Sequence, residues 1–200
     1  MIFLLFATNA FGQSLSPGVR QLAELLDNGS VTLTATGNGD SSGFAVDGYL
    51  KNNTANRITV NVNIENGIYL KNSGKGQNML AIQVFQSDGR YNSDGKNYFI
   101  VLPAGAAIAI VFNAFCADYN LDNPSPGQTF SVVPVPQSIK DIAARISKHA
   151  SDNLRSGIDF TVATQLALWR TQGNTRSDIS KKFTFYDEDW DASTLIMNYK

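Results

Sequence analysis

Cysteine is almost missing from this chain: one residue, Cys116, among 200. A lone thiol cannot be half of an internal disulfide, so no disulfide framework holds the fold. It is an inert buried residue, an intermolecular link or a reactive group. Histidine is equally scarce, with His149 alone. Charge is low, at 16% of residues with a net of −1, and no basic run exceeds Lys181-Lys182. That argues against nucleic acid as a partner. No stretch of 18 or more apolar residues occurs, so no transmembrane helix is expected. The C-terminus carries no sortase-type motif, hydrophobic tail or lipid signal.

Neutral polar residues take the place of charge, notably 19 Asn and 16 Gly. Such a surface of amides and hydroxyls is common in exported β-rich proteins. With 43% apolar content, the length suits one compact domain, or a domain with a small appendage. Residues 1–12 are mostly apolar, above all Ile2-Phe3-Leu4-Leu5-Phe6-Ala7, and end in Ala10-Phe11-Gly12. This reads as the apolar part and cleavage site of a signal peptide, with the mature chain starting at Gln13. The basic flank is absent, which puts the true start upstream. The other reading is an N-terminal buried strand. A secreted protein, released or held by another protein, is the expectation.

Ser16-Pro17 is expected to open a short helix that carries Val19, Leu22, Leu25 and Leu26 and ends at Asn28-Gly29. From Ser30 to Phe115 the apolar period is two. The clearest half-buried strand is Ile58-Val60-Val62-Ile64, alternating with Thr59, Asn61 and Asn63. Turn signals at Asn66-Gly67, Asp88-Gly89 and Asp94-Gly95 divide about seven short strands, the spacing of a β-sandwich. The pieces Leu50-x-Asn52-x-Thr54, Ile64-x-x-Gly67 and Leu102-Pro103-Ala104-Gly105 resemble an immunoglobulin-like sandwich of exported bacterial proteins. Asn123-Pro124-Ser125-Pro126-Gly127 reads as a linker, and Pro134 and Pro136 as a second boundary.

Beyond Pro136 the period becomes helical. Ser138 can cap a helix with the stripe Ile139, Ile142, Ala143, Ile146 and Ala150. Asp159 can cap a second helix bearing Val162, Leu166 and Trp169, which stops near Gly173. Ser177 starts a further turn or two. Asp187-Glu188-Asp189 opens a last helix. The expected architecture is mainly β with α: an N-terminal helix and an immunoglobulin-like antiparallel β-sandwich over residues 13–122, then a small α-helical subdomain over 123–200.

Two motifs carry the chemistry. Cys116 ends the most apolar strand, Ala107 to Phe115, with Asp118 two residues on. Gln165 follows 49 positions later within Ala163-Thr164-Gln165-Leu166-Ala167-Leu168-Trp169. An aromatic-Cys-x-acid motif paired with a later Thr-Gln-x-Ala-apolar-Trp motif resembles the thioester domains of bacterial surface and secreted proteins. Ala117 departs from the pattern, which has a bulkier apolar residue after the Cys.

The resemblance implies that the Cys116 sulfur and the Gln165 side-chain carbonyl are joined as an internal thioester. The bond would acylate an amine on a target surface once, as a covalent adhesin rather than a recycling enzyme. Trp169, one turn beyond Gln165, can lie across the bond as a lid. Phe115, Leu166 and Tyr119 can complete a dry shell, and Asp118 or Thr164 can hydrogen-bond within the site. The alternative is a non-covalent structural or binding module with an inert Cys116. A cysteine hydrolase using Cys116 and His149 is disfavoured, because no catalytic signature surrounds the Cys and His149 is expected to face solvent. The acidic cluster Asp187, Glu188, Asp189 and Asp191 lacks the spacing and Gly of a calcium loop. No cofactor or metal is called for. Asn28-Gly29-Ser30 and Asn52-Asn53-Thr54 match glycosylation sequons.

Overall fold

A computed structural model describes residues 18–200. The signal-peptide expectation, the Gln13 start and the Ser16 cap lie outside the described residues. The described chain is mainly β with several helices. The strands are β1 (Val19–Arg20), β2 (Val31–Gly37), β3 (Ser42–Asn52), β4 (Ile58–Asn61) and β5 (Asn63–Asn72). They continue as β6 (Met79–Gln86), β7 (Asn92–Ser93), β8 (Tyr98–Leu102), β9 (Ala107–Cys116) and β10 (Thr129–Val133). The helices are α1 (Leu22–Asp27), α2 (Lys140–Asn153), α3 (Thr161–Arg170), α4 (Arg176–Ile179) and α5 (Asp187–Met197).

Where a sandwich is expected, the strands form a closed six-stranded barrel, in the order β10-β2-β3-β9-β6-β5, and a four-stranded sheet, β1-β4-β8-β7. Of the barrel strands, the one missing from the sequence reading is β10. It lies between the two proline boundaries, in residues assigned to the helical subdomain. Thr129 and Phe130 pair with Thr36 and Ala35 of β2, and Phe130 to Val133 pair with Asn72 to Tyr69 of β5. One short strand therefore joins two edges, and closure removes them. Its alternation is masked because most of its residues stay exposed or half-buried.

Strand β9 is the spine. It pairs along its length with β3 and β6. Ile110, Val111, Phe112, Ala114 and Cys116 belong to the main core, whereas at the end of the strand Phe115 joins a second cluster with Ile139, Ile142 and Ile146. The pleat thus directs neighbouring side chains to opposite faces. Gly48 interrupts the apolar pattern of β3 for a steric reason: a Cβ there would stand 2.2 Å from the Thr34 carbonyl oxygen across the ladder.

Buried Asn52 joins two of the motif fragments. Its Nδ2 donates to the carbonyls of Asn56, Leu102 and Pro103, while its Oδ1 accepts from the Thr54 amide and hydroxyl. The sequon at Asn52 is therefore a structural corner whose amide is fully engaged.

The helical expectations hold in number and differ at their starts. Val19 lies in β1, so α1 begins later, at Leu22, with Gln21 as N-cap. A 3-10 turn, Gln137–Ile139, precedes α2, and Ser138 makes no cap bond. Asp159 is not the cap of α3: Phe160 is, without a side-chain cap bond, and Asp159 one residue earlier accepts from the Thr161 amide at 2.8 Å. A capping box at Thr175 and Asp178 starts α4, with the cap two residues before the start read at Ser177. Among the described residues no helix is long and apolar enough to cross a membrane.

His149 corrects a further expectation. It is 7% exposed and sits edge-to-face between Phe160 and Tyr199, with ring centroids 4.6 and 5.0 Å away. Burial pushes its pKa below the usual imidazole value, partly opposed by Asp152. The neutral ring is the form that fits, so its contribution is complete above the unfolded pKa and is lost as pH falls through the folded one. Wild type should therefore lose more stability between pH 7.5 and 5 than His149→Phe. Urea midpoints across that range test this, and parallel slopes would refute it.

Candidate functional site

The site lies where β3 runs out beside β9. Ser42 pairs with Phe115, and beyond it the Cys116 amide still donates to the Ser41 carbonyl at 2.9 Å. The ladder then has no strand left for the Cys116 carbonyl. A side chain from α3 takes that place. The Gln165 Nε2 donates to the Cys116 carbonyl at 2.8 Å, and the Gln165 Oε1 accepts from the Cys116 amide at 2.9 Å. The amide proton is thus shared between Ser41 and Gln165. Cys116 and Gln165 are both 0% exposed.

The two motifs named from the sequence are therefore in contact, through the Gln165 carboxamide and the Cys116 main chain. The Cys116 Sγ itself lies 3.6 Å from the Met79 Sδ and 3.9 Å from the Asn123 Oδ1. Burial, reinforced by the negative charge of Asp118, pushes the thiol up to about 12. At neutral pH the sulfur is a neutral thiol, and burial equally disfavours any step that would leave a bare thiolate.

Trp169 is 4% exposed and packs edge-to-face against Tyr119 and Phe183, each 5.4 Å between centroids. It shares the main cluster with Cys116, Leu166 and Tyr119. Its indole Nε1 is buried without a hydrogen-bond partner among the described residues. Phe115 is not part of this packing, because strand alternation turns it into the second cluster. Asp118 bonds elsewhere: its Oδ2 accepts from the Asn78 amide at 3.0 Å and the Asn78 Nδ2 at 2.7 Å. It acts on Cys116 by charge alone and also helps raise the Tyr69 hydroxyl to about 12, after burial. Thr164 is buried on α3, and its amide belongs to the helix ladder. His149 lies on α2 with aromatic neighbours and makes no bond to Cys116.

Three contributors were not read from the sequence. Gln172 donates to the Ala117 carbonyl at 2.8 Å, so two glutamines seven positions apart bond successive carbonyls of the strand end. Gln172 lies in the turn just past the end of α3 at Arg170, so the seven-residue spacing marks it only as a continuation of the Gln165 side of the helix. Met79 and Asn123 contact the sulfur through register and loop placement, for which no local pattern exists. Asn123 is exposed, so the loop after β9 is the solvent side of the sulfur.

No family model, curated protein or solved structure matches the chain.

The pairing predicts a pH signature. In a Cys116→Ala background, where only the main chain of residue 116 remains, Gln165→Ala should cost about 2–4 kcal/mol. It removes a buried side chain and leaves a carbonyl unpaired. Gln165→Glu in the same background can keep both bonds only when protonated. It should therefore approach the Gln165 protein at pH 4 and fall away by pH 7. Urea unfolding at both pH values checks this, and a pH-independent Glu variant would show that the carboxamide bonds do not matter.

Proposed function

We propose that Cys116 and Gln165 form an internal thioester, and that this exported domain uses it once to acylate an amine on a target surface. The observation that carries the reading is the buried, two-point pairing of the Gln165 carboxamide with the main chain of the cysteine itself. It fixes the carbonyl carbon beside the residue that bears the nucleophile. The shared Cys116 amide donates to the Gln165 Oε1, where negative charge develops on attack, and so serves as an oxyanion donor.

In the bond-forming step Sγ adds to the Gln165 Cδ, the C–N bond breaks, and the thiol proton leaves with the nitrogen as ammonia. In the coupling step an amine takes the acyl group, giving a substituted amide at Gln165, and Cys116 regains its proton. No cofactor or metal is required, and there is no turnover. Apolar burial suits the product, because both thiol and thioester are neutral. The motif resemblance and the apolar leader support a secreted, surface-acting, adhesive role. The amine-bearing target is identified only by that chemistry.

A second reading has a specific observation in its favour. Both polar groups of the Gln165 side chain are already satisfied, and the thiol is held neutral. A purely structural clamp in a non-covalent binding module would look the same.

Intact mass separates the two. The thioester form should weigh less than the sequence mass by one ammonia, and Cys116→Ala or Gln165→Ala should restore the full mass. Methylamine should convert the bond to an N-methylamide at Gln165 and free one thiol. A full-mass wild-type protein purified without added nucleophile would leave the non-covalent module. If Trp169 excludes water, Trp169→Ala should shorten the lifetime of the lighter species. That change can also cost about 3–5 kcal/mol of stability, so circular dichroism must show a folded protein. A folded Trp169→Ala protein with an unchanged lifetime would make Trp169 core and not lid.

A further inference from the structure

A cleft of about 470 Å³ opens between α2, the β4–β5 segment and β8. Its size falls within the range of small-ligand sites. Its floor includes Asn61, Ile64 and Ser147, all buried. Ser147 is 5% exposed, and its hydroxyl has no hydrogen-bond partner among the described residues. A buried hydroxyl is normally paired, so an unpaired one on the floor of a cleft points to a missing partner.

The amides around it are oriented by the fold. The Asn61 Oδ1 accepts from the Asn63 amide, the Asn63 Oδ1 from the Gln83 Nε2, and the Gln21 Oε1 from the Glu65 amide. In each case the fold uses the oxygen and leaves the NH2 group without a protein partner among the described residues. Three neutral donors thus gather beside an unpaired hydroxyl. The rim is balanced, with Lys96 and Lys148 against Glu65 and Asp152, and Lys148 is already paired with Asp152 at 2.7 Å.

We infer that this cleft binds a neutral saccharide. The amide donors and the serine suit ring and hydroxyl oxygens, while the rim carboxylates accept from sugar hydroxyls. A phosphate or sulfate ligand would need an excess of cationic groups, which the balanced rim does not provide. A lipid would need a mostly apolar lining, and here amides and hydroxyls hold the floor. The site is separate in residues from Cys116 and Gln165 and does not depend on the thioester.

The test is binding of the whole protein to an immobilised panel of neutral di- to tetrasaccharides of glucose, mannose, galactose and N-acetylglucosamine. Any retained sugar is then measured by titration calorimetry. At least one should bind. Ser147→Ala should weaken it about three- to tenfold, the range of one lost hydrogen bond, without lowering the thermal midpoint. Ala144→Trp, from the half-buried α2 wall, should block the cleft and abolish binding. Cys116→Ala should bind like wild type. Failure of every neutral sugar to bind overturns the proposal. So does binding that survives both cleft variants, and so does binding confined to anionic glycans.

Discussion

The end of strand β9 depends on a single side chain standing in for a strand. Beyond Ser42 the barrel wall has no neighbour to offer the Cys116 carbonyl, and an unpaired buried carbonyl is costly. Gln165 supplies the donor and also shares the Cys116 amide. The helical layer is thereby bonded to the barrel at its most apolar strand. Gln172 repeats the arrangement at Ala117. The helix–barrel interface is thus specified by amide pairing as well as by packing of Leu166 and Trp169.

The same pairing explains why the site reads both ways chemically. A carboxamide held in two hydrogen bonds to the cysteine main chain lies beside the residue that bears the sulfur, as the proposed thioester requires. It is also at rest. The thiol, pushed up by burial and by Asp118, is silent as an ion at neutral pH. Reactivity of such a pair would come from enforced proximity rather than from an activated thiolate, which sets it apart from cysteine hydrolases that depress the thiol pKa.

Much of the local structure was legible. The Cys116 run is kept as β9, and Ile142, Ala143 and Ile146 as a face of α2 with Ile139 in the 3-10 turn before it, whereas the single strand read from Ile58 to Ile64 is broken at Val62 into β4 and β5, which enter different sheets. That Cys116 and Gln165 belong together was an expectation of the motif resemblance; what the structure brings together is the Gln165 carboxamide and the Cys116 main chain. Barrel closure was not. Thr129 to Val133 sit between prolines, and their side chains are largely exposed, so neither periodicity nor composition marks a strand. The orientation of Phe115 could have been read from strand alternation, which places it opposite Cys116. The burial of His149 could not, because its partners Phe160 and Tyr199 come from distant segments. Asn123 and Met79 reach the sulfur through tertiary placement alone.

The position of β10 also governs when the molecule can become whole. Its partners β2 and β5 emerge long before it, and until Thr129 to Val133 arrive both remain open edges, the feature that invites pairing with other chains. Gln165 lies later still. A chain emerging from its N-terminus would carry an unlatched sheet until β10 follows, and Cys116 would wait for its partner until α3 follows in turn. Assembly order therefore leaves the sheet edges open, and the Cys116 carbonyl without its partner, until the later segments arrive.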